Sequence, residues 1–130
     1  MQIIDSGPDR SEYAIYRFFF AAMSSARRRI WVTTPYFIPD EAIMVALTTA
    51  AGRGVDVRLL VPMESDQLLT GLAASTFVEE VLTRRVKVYA YVPRFIHAKT
   101  LVIDDELSVI GTANMDNRSF RLNFEVMAAI

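Results

Sequence analysis

Apolar positions along the chain follow two rhythms, short runs with a two-residue period and longer stretches at helical spacing. Residues 2–5 predict a first strand, closed by a Ser6-Gly7-Pro8-Asp9 turn. Ser11, with Glu12 beside it, starts a helix running to about residue 28, in which Ala14, Phe18, Ala21 and Ala22 recur on one face. Arg27-Arg28-Arg29 closes that helix at the negative end of its dipole and reads as a solvated helix end. A second strand covers 30–34. Pro35 and Pro39 exclude a regular element across the loop between them. Asp40 then caps a helix through residue 51, and Gly52 and Gly54 end it. Residues 55–61 alternate and then turn fully apolar, as a central strand covered on both faces does. A third helix spans 66 to about 84, and a fourth strand 86–92.

Two more strands follow, over 97–104 and 107–110, joined by the turn Asp104-Asp105-Glu106. A helical turn over 116–120 leads to a last strand over 122–130. Alternation followed by a hairpin predicts an α/β fold: a mixed, mostly parallel β-sheet with helices on both faces. The chain is expected to form one domain over 1–130. With 52% hydrophobic residues it has material for one sizeable core.

Composition narrows the chemistry. There is no cysteine, so neither disulfides nor thiolate metal sites arise, which fits a reducing compartment. A net charge of −1 makes no global electrostatic case for nucleic acid or anionic lipid. The richest apolar run, 18–23, is bounded by Arg17 and Ser24 and falls well short of the roughly 20 residues of a membrane span. No secretory signal is expected in the first residues, which include Asp5 and Asp9 and lack an apolar h-region.

The only histidine, His97, heads a spaced set: His97, Lys99, Asp104, Gly111, Thr112 and Asn114, or H-x-K-x4-D-x6-G-[ST]-x-N. By average residue usage such a set arises by chance on the order of once per 10^5 chains of this length. On a strand, His97 and Lys99 share a face, placing an imidazole beside an ammonium. Asp104 lies an odd number of residues on, so it faces the other way and reads as a structural carboxylate. Thr112 and Asn114 are two apart and can flank one pocket, and Asn123 and Glu125 repeat that spacing later.

These six residues resemble the HKD signature of the phospholipase D superfamily. Residues 114–125 (Asn-Met-Asp-Asn-Arg-Ser-Phe-Arg-Leu-Asn-Phe-Glu) and 33–40 (Thr-Thr-Pro-Tyr-Phe-Ile-Pro-Asp) are similar to one branch, the bacterial cardiolipin synthases. Ser6-Gly7-Pro8 fits the opening of their second half. Thr112 stands where serine is commoner and keeps the hydroxyl. The resemblance implies an α/β/α sandwich and a catalytic His97, Lys99 and Asp104. It implies no cofactor, and no metal site is visible in the residues.

Displacement at phosphorus needs a nucleophile, a proton donor and positive charge on the non-bridging oxygens. His97 can attack or act as acid, Lys99 supplies the cation, and Thr112 and Asn114 can donate to phosphate. Glu125 is the candidate to accept a hydrogen bond from the other ring nitrogen of His97. The family's exchange uses two such histidines, one attacking and one protonating the leaving group. With one histidine, this chain is expected to be the C-terminal half of a two-motif enzyme, His97 being the acid/base. Otherwise two copies pair about a two-fold axis.

The blunt ends, with a strand at the start and the apolar run 124–130 at the finish, fit an excised half. The implied reaction is phosphatidyl transfer between two phosphatidylglycerols, releasing glycerol, at the cytoplasmic face of the bacterial inner membrane. The piece itself is expected to be soluble. Alternatives are a homodimeric nuclease of the superfamily, disfavoured by the near-zero charge, and an inactive fold module.

Overall fold

The computed structural model describes residues 1–9, 13–63, 68–116 and 118–130, with backbone alone over 68–74. In chain order the elements are β1 (Gln2–Ser6), α1 (Ala14–Ser25), β2 (Arg29–Thr33), β3 (Phe37–Ile38), α2 (Glu41–Gly52) and β4 (Asp56–Pro62). They continue with α3 (Leu68–Leu82), β5 (Lys87–Tyr91), β6 (Thr100–Ile103), β7 (Leu107–Gly111), β8 (Met115–Asp116), a wide π-type turn (Arg118–Leu122) and β9 (Glu125–Ala129). The helix starts expected at Ser11 and Asp66 lie outside the described residues.

Seven strands form one sheet in the order β1-β9-β7-β6-β2-β4-β5, and β3 pairs with β8 in a separate two-stranded sheet. Only β2/β4 and β4/β5 are parallel; β1/β9, β9/β7, β7/β6 and β6/β2 are antiparallel. The sheet is therefore mixed, but the expectation that it is mostly parallel is overturned. Apolar alternation reveals strands without revealing their direction. The first strand pairs with the last, at the edge opposite the parallel strands.

Across these pairings β1, β2, β4 and β5 run the same way, and each crossover advances from β1 towards β5. Right-handed crossovers then place all three helices on one face. Burial agrees: Ile30, Val32, Val57, Leu59, Leu101, Ile103 and Val109 are neighbours in register and all buried. Their alternates Trp31, Thr33, Leu60 and Val102 are half-buried, and Tyr89, Ile110 and Val126 are exposed. Helices on both faces were expected; among the described residues they cover one.

On the covered face, Ile15, Phe19 and Met23 of α1 join Ile43, Leu47 and Ala50 of α2 in the core. Asp40 caps α2 as its sequence predicts, its Oδ1 accepting from the Ile43 N–H at 3.0 Å. The second carboxylate oxygen takes the Tyr16 hydroxyl at 2.6 Å and Arg121 Nη2 at 3.3 Å. Phe120 meets Phe19 and Tyr16 edge-on, with centroids 5.5 and 5.4 Å away. The wide turn is thereby anchored to α1.

Helix α1 ends at Ser25, before the arginine triplet, whose backbone turns instead into β2. Between the two prolines, Phe37 and Ile38 do form a short strand, because Met115 and Asp116 offer them a partner. Regular pairing needs only the residues between the prolines, not the prolines themselves.

Candidate active site

The site lies where β2 and β7 end and β6 and β9 begin. Its position follows from β6 running antiparallel to β2 and β7. The predicted strand over 97–104 is ordered as β6 only from Thr100, so His97 and Lys99 precede it. They still converge. Lys99 Nζ lies 2.8 Å from His97 Nδ1, 3.2 Å from Nε2 and 2.8 Å from the His97 carbonyl oxygen. An ammonium only donates, so a ring nitrogen bonded to it does so as an acceptor.

Lys99 is buried and His97 exposed. Burial lowers the Lys99 pKa, while the negative charges of Glu125 and Asp116 act the other way. A buried cation with distant counter-charges is poorly compensated in the empty site, and an incoming anion supplies what is missing. The cavity beside it measures about 450 Å³ and is lined by His97, Ala98, Lys99, Ile110, Gly111, Thr112 and Asn114.

Gly111 permits this geometry. A Cβ there would collide with the Val126 carbonyl oxygen and sit 2.8 Å from the Met127 Cα. That close approach lets Thr112 N–H donate to Val126 O at 3.0 Å, and Val126 N–H donate to Thr112 Oγ1 at 2.9 Å. The Thr112 hydroxyl proton has only a 3.4 Å contact to Val126 O. It can therefore swing to an anion at small cost.

Asn114 is held by its backbone, whose N–H donates to Ser119 Oγ at 2.9 Å; the Ser119 N–H donates to Asp116 Oδ1 at 2.7 Å. Its side-chain Oδ1 is buried without a partner among the described residues. Thr34 stitches the two loops together: Oγ1 donates to Tyr36 O at 2.9 Å and accepts from Met115 N–H at 3.2 Å. Ser119 and Thr34, both fully buried, are residues that spacing alone missed. Their signal was a hydroxyl within each of the two stretches already singled out, 114–125 and 33–40.

The expected Glu125–His97 hydrogen bond is not made. Glu125 Oε1 instead accepts from Asn123 Nδ2 at 3.3 Å, while the imidazole faces Lys99. Glu125 begins β9 after Asn123 has left the wide turn, so the two residues do not share one strand as expected. The pair stays next to the pocket.

Asp104 lies elsewhere, in the turn at the far end of β6. Its φ of 53° is left-handed, a conformation that aspartate tolerates better than most residues. The carboxylate accepts from three consecutive backbone N–H groups: Arg27 at 3.1 Å, Arg28 at 2.7 Å and Arg29 at 3.0 Å. Desolvation pushes its pKa up, but the bonds from Arg29, Arg28 and Arg27 outweigh it and the net shift is downward. Asp105 beside it pairs with Arg28 at 2.7 Å and Arg29 at 3.3 Å. The structural reading of Asp104 thus fits its surroundings, and it is not gathered with His97 as a catalytic residue. The arginine triplet is a carboxylate clamp, not a helix end.

Among the described residues no group of three or more His, Asp or Glu side chains is arranged to hold a metal ion. None of the described helices is long and apolar enough to cross a membrane.

The sheet order and the position of the pocket define a phospholipase D-like domain. The chain superposes on Nuc of Salmonella typhimurium, a phospholipase D family member, with a TM-score of 0.78 at 22% identity, covering 99% of this chain and 80% of that one. The family described as cardiolipin synthase, PLD-like domain, matches residues 19–130, and the chain belongs to that family. It is 49% identical to cardiolipin synthase A of Pseudomonas putida strain W619 over 96% of its length, and 49% identical to cardiolipin synthase of Geobacillus thermodenitrificans over 98%. It spans about a quarter of each relative, 26% in both cases.

Proposed function

We propose that this chain provides one of two HKD half-sites in a phosphatidyltransferase that makes cardiolipin from two phosphatidylglycerols. The observation that carries the reading is the buried Lys99 ammonium against the exposed His97 imidazole, at a cavity with Thr112 and Asn114 in its wall.

In the proposed exchange a histidine nitrogen attacks phosphorus and the bond to the glycerol headgroup oxygen breaks. The other histidine protonates that oxygen and glycerol leaves. The same base then takes the proton of a second phosphatidylglycerol's hydroxyl, whose oxygen displaces the first histidine. His97 suits the acid/base role. A ring nitrogen must pick up a proton before each donation. Lys99 neutralises the non-bridging oxygens, and Thr112 and Asn114 donate to them. Asp104 supports the motif by fixing the turn behind it. The parent protein would work at the cytoplasmic face of the inner membrane.

One histidine per chain supports a second reading, in which two copies complete a symmetric site and hydrolyse phosphodiesters. Light scattering, with turnover measured on the same sample, separates the two. The transferase reading expects an inactive monomer, and cardiolipin plus glycerol once the missing half is supplied. His97→Ala should then abolish product. Cardiolipin formation that survives His97→Ala overturns it, and an active dimer cleaving nucleic acid would establish the other.

A further inference from the structure

The cavity at His97, about 450 Å³, has room for a glycerophosphate headgroup but not for two long acyl chains, and Ala98 and Ile110 are the only aliphatic side chains in its wall. The acyl chains of a phospholipid find no seat in it. If the phosphatidyl reading holds, those chains stay in the bilayer during the reaction, and the protein must meet the bilayer around the mouth of the cavity.

The residues at the same end of the sheet, on strands to either side of β6, suit such a surface. On one side Met63 follows β4 and Val92 follows β5, held side by side by the Met63 N–H donating to the Tyr91 carbonyl at 3.1 Å. They are 66% and 70% exposed. From Val92 the chain passes through Phe95, whose ring lies 5.9 Å from the His97 imidazole. On the other side Leu122 and Phe124, 61% and 74% exposed, bracket Asn123 just before Glu125. Side chains this exposed leave most of their apolar surface in water. Arg94 and Arg118 stand exposed beside the two patches, in no ion pair among the described residues. Two apolar patches with adjacent cations, on either side of a phosphate-sized cavity, match an anionic phospholipid surface.

We infer that Met63 and Val92 on one side, and Leu122 and Phe124 on the other, form a rim that dips into an anionic phospholipid bilayer, so that the headgroup reaches His97 while its chains remain in the membrane. This rests on the phosphatidyl-transfer reading. A net charge of −1 means that the binding is driven by these local groups and not by the charge of the whole chain.

The test is co-sedimentation of this chain with vesicles of phosphatidylglycerol and phosphatidylcholine, against vesicles of phosphatidylcholine alone. The chain should bind the anionic vesicles more tightly. Withdrawing an aliphatic side chain from the bilayer should weaken binding about tenfold, so Met63→Asp with Val92→Asp should weaken it about a hundredfold. Leu122→Ser with Phe124→Ser, on the opposite side, should weaken it independently. Leu82→Asp, at an exposed apolar position at the end of α3, should change nothing. Binding unaffected by both rim pairs, no binding to anionic vesicles, or an equal loss with Leu82→Asp overturns the inference. His97→Ala keeps vesicle binding whether or not it removes turnover, so failure of the rim and failure of the chemistry are read separately.

Discussion

The two ends of β6 carry residues of the same short motif and treat charge in opposite ways. At the far end, Asp104 is saturated: three backbone donors converge on it, and its neighbour Asp105 is paired with two arginines. At the near end, Lys99 is buried against the His97 imidazole, the Thr112 hydroxyl proton is weakly held, and Asn114 Oδ1 has no partner among the described residues. Satisfied polar groups hold a fold together. Polar groups fixed in place but left wanting partners prepare it for a ligand. Residues that share one motif therefore need not touch one substrate.

The largest test of that contrast is loss of the near end. In the enzyme with both half-sites, His97→Ala should lower turnover about 10^4-fold or more, while the melting temperature stays within about 2 °C of the parent. Asp104→Ala should do the reverse. Losing the three bonds to a charged acceptor costs about 2–3 kcal/mol, a drop of roughly 10 °C in melting temperature. Activity per folded molecule, measured well below the melt, should be nearly unchanged; a large loss there would restore Asp104 to the chemistry.

Acid should separate the ends as well. Because the folded-state pKa of Asp104 is lowered, its contribution to stability is complete above the ordinary carboxylate pKa and disappears as pH falls through the folded value. Asp104→Asn should remove that part of the acid limb in a denaturation series. At alkaline pH the near end responds instead: with its pKa lowered, Lys99 loses its charge earlier than an ordinary lysine, and turnover should fall with it. Glu125→Gln removes a charge that raises that pKa, so the alkaline limb should move lower still. The smallest effect is expected from Thr112→Ser, which keeps the hydroxyl and should stay within about twofold of the parent, against about tenfold loss for Thr112→Val.

Most of the near end was legible from spacing. The interval between His97 and Lys99, and that between Thr112 and Asn114, sufficed to bring four side chains to one cavity. Glycine at 111 is explained by the approach of β9, which no local pattern announces. The Asn123–Glu125 pairing and the missing Glu125–His97 bond escaped prediction because they depend on how a wide turn between Arg118 and Leu122 redirects the chain. The arginine triplet was misread for a similar reason: its true partner, Asp104, lies 75 or more residues away. Strand positions were readable, but strand direction was not, since β1 could join the sheet at either edge with the same apolar alternation.

That last pairing sets a clock on folding. Gln2 sits opposite Ala129, and β9 is the only strand that β1 pairs with in the described sheet. On the ribosome β1 emerges well before β9, its partner in the described sheet, exists. At typical rates of synthesis the wait is on the order of ten seconds. Throughout it β1 offers unpaired backbone groups to any passing strand, so this domain should depend on chaperones most until β9 has been made.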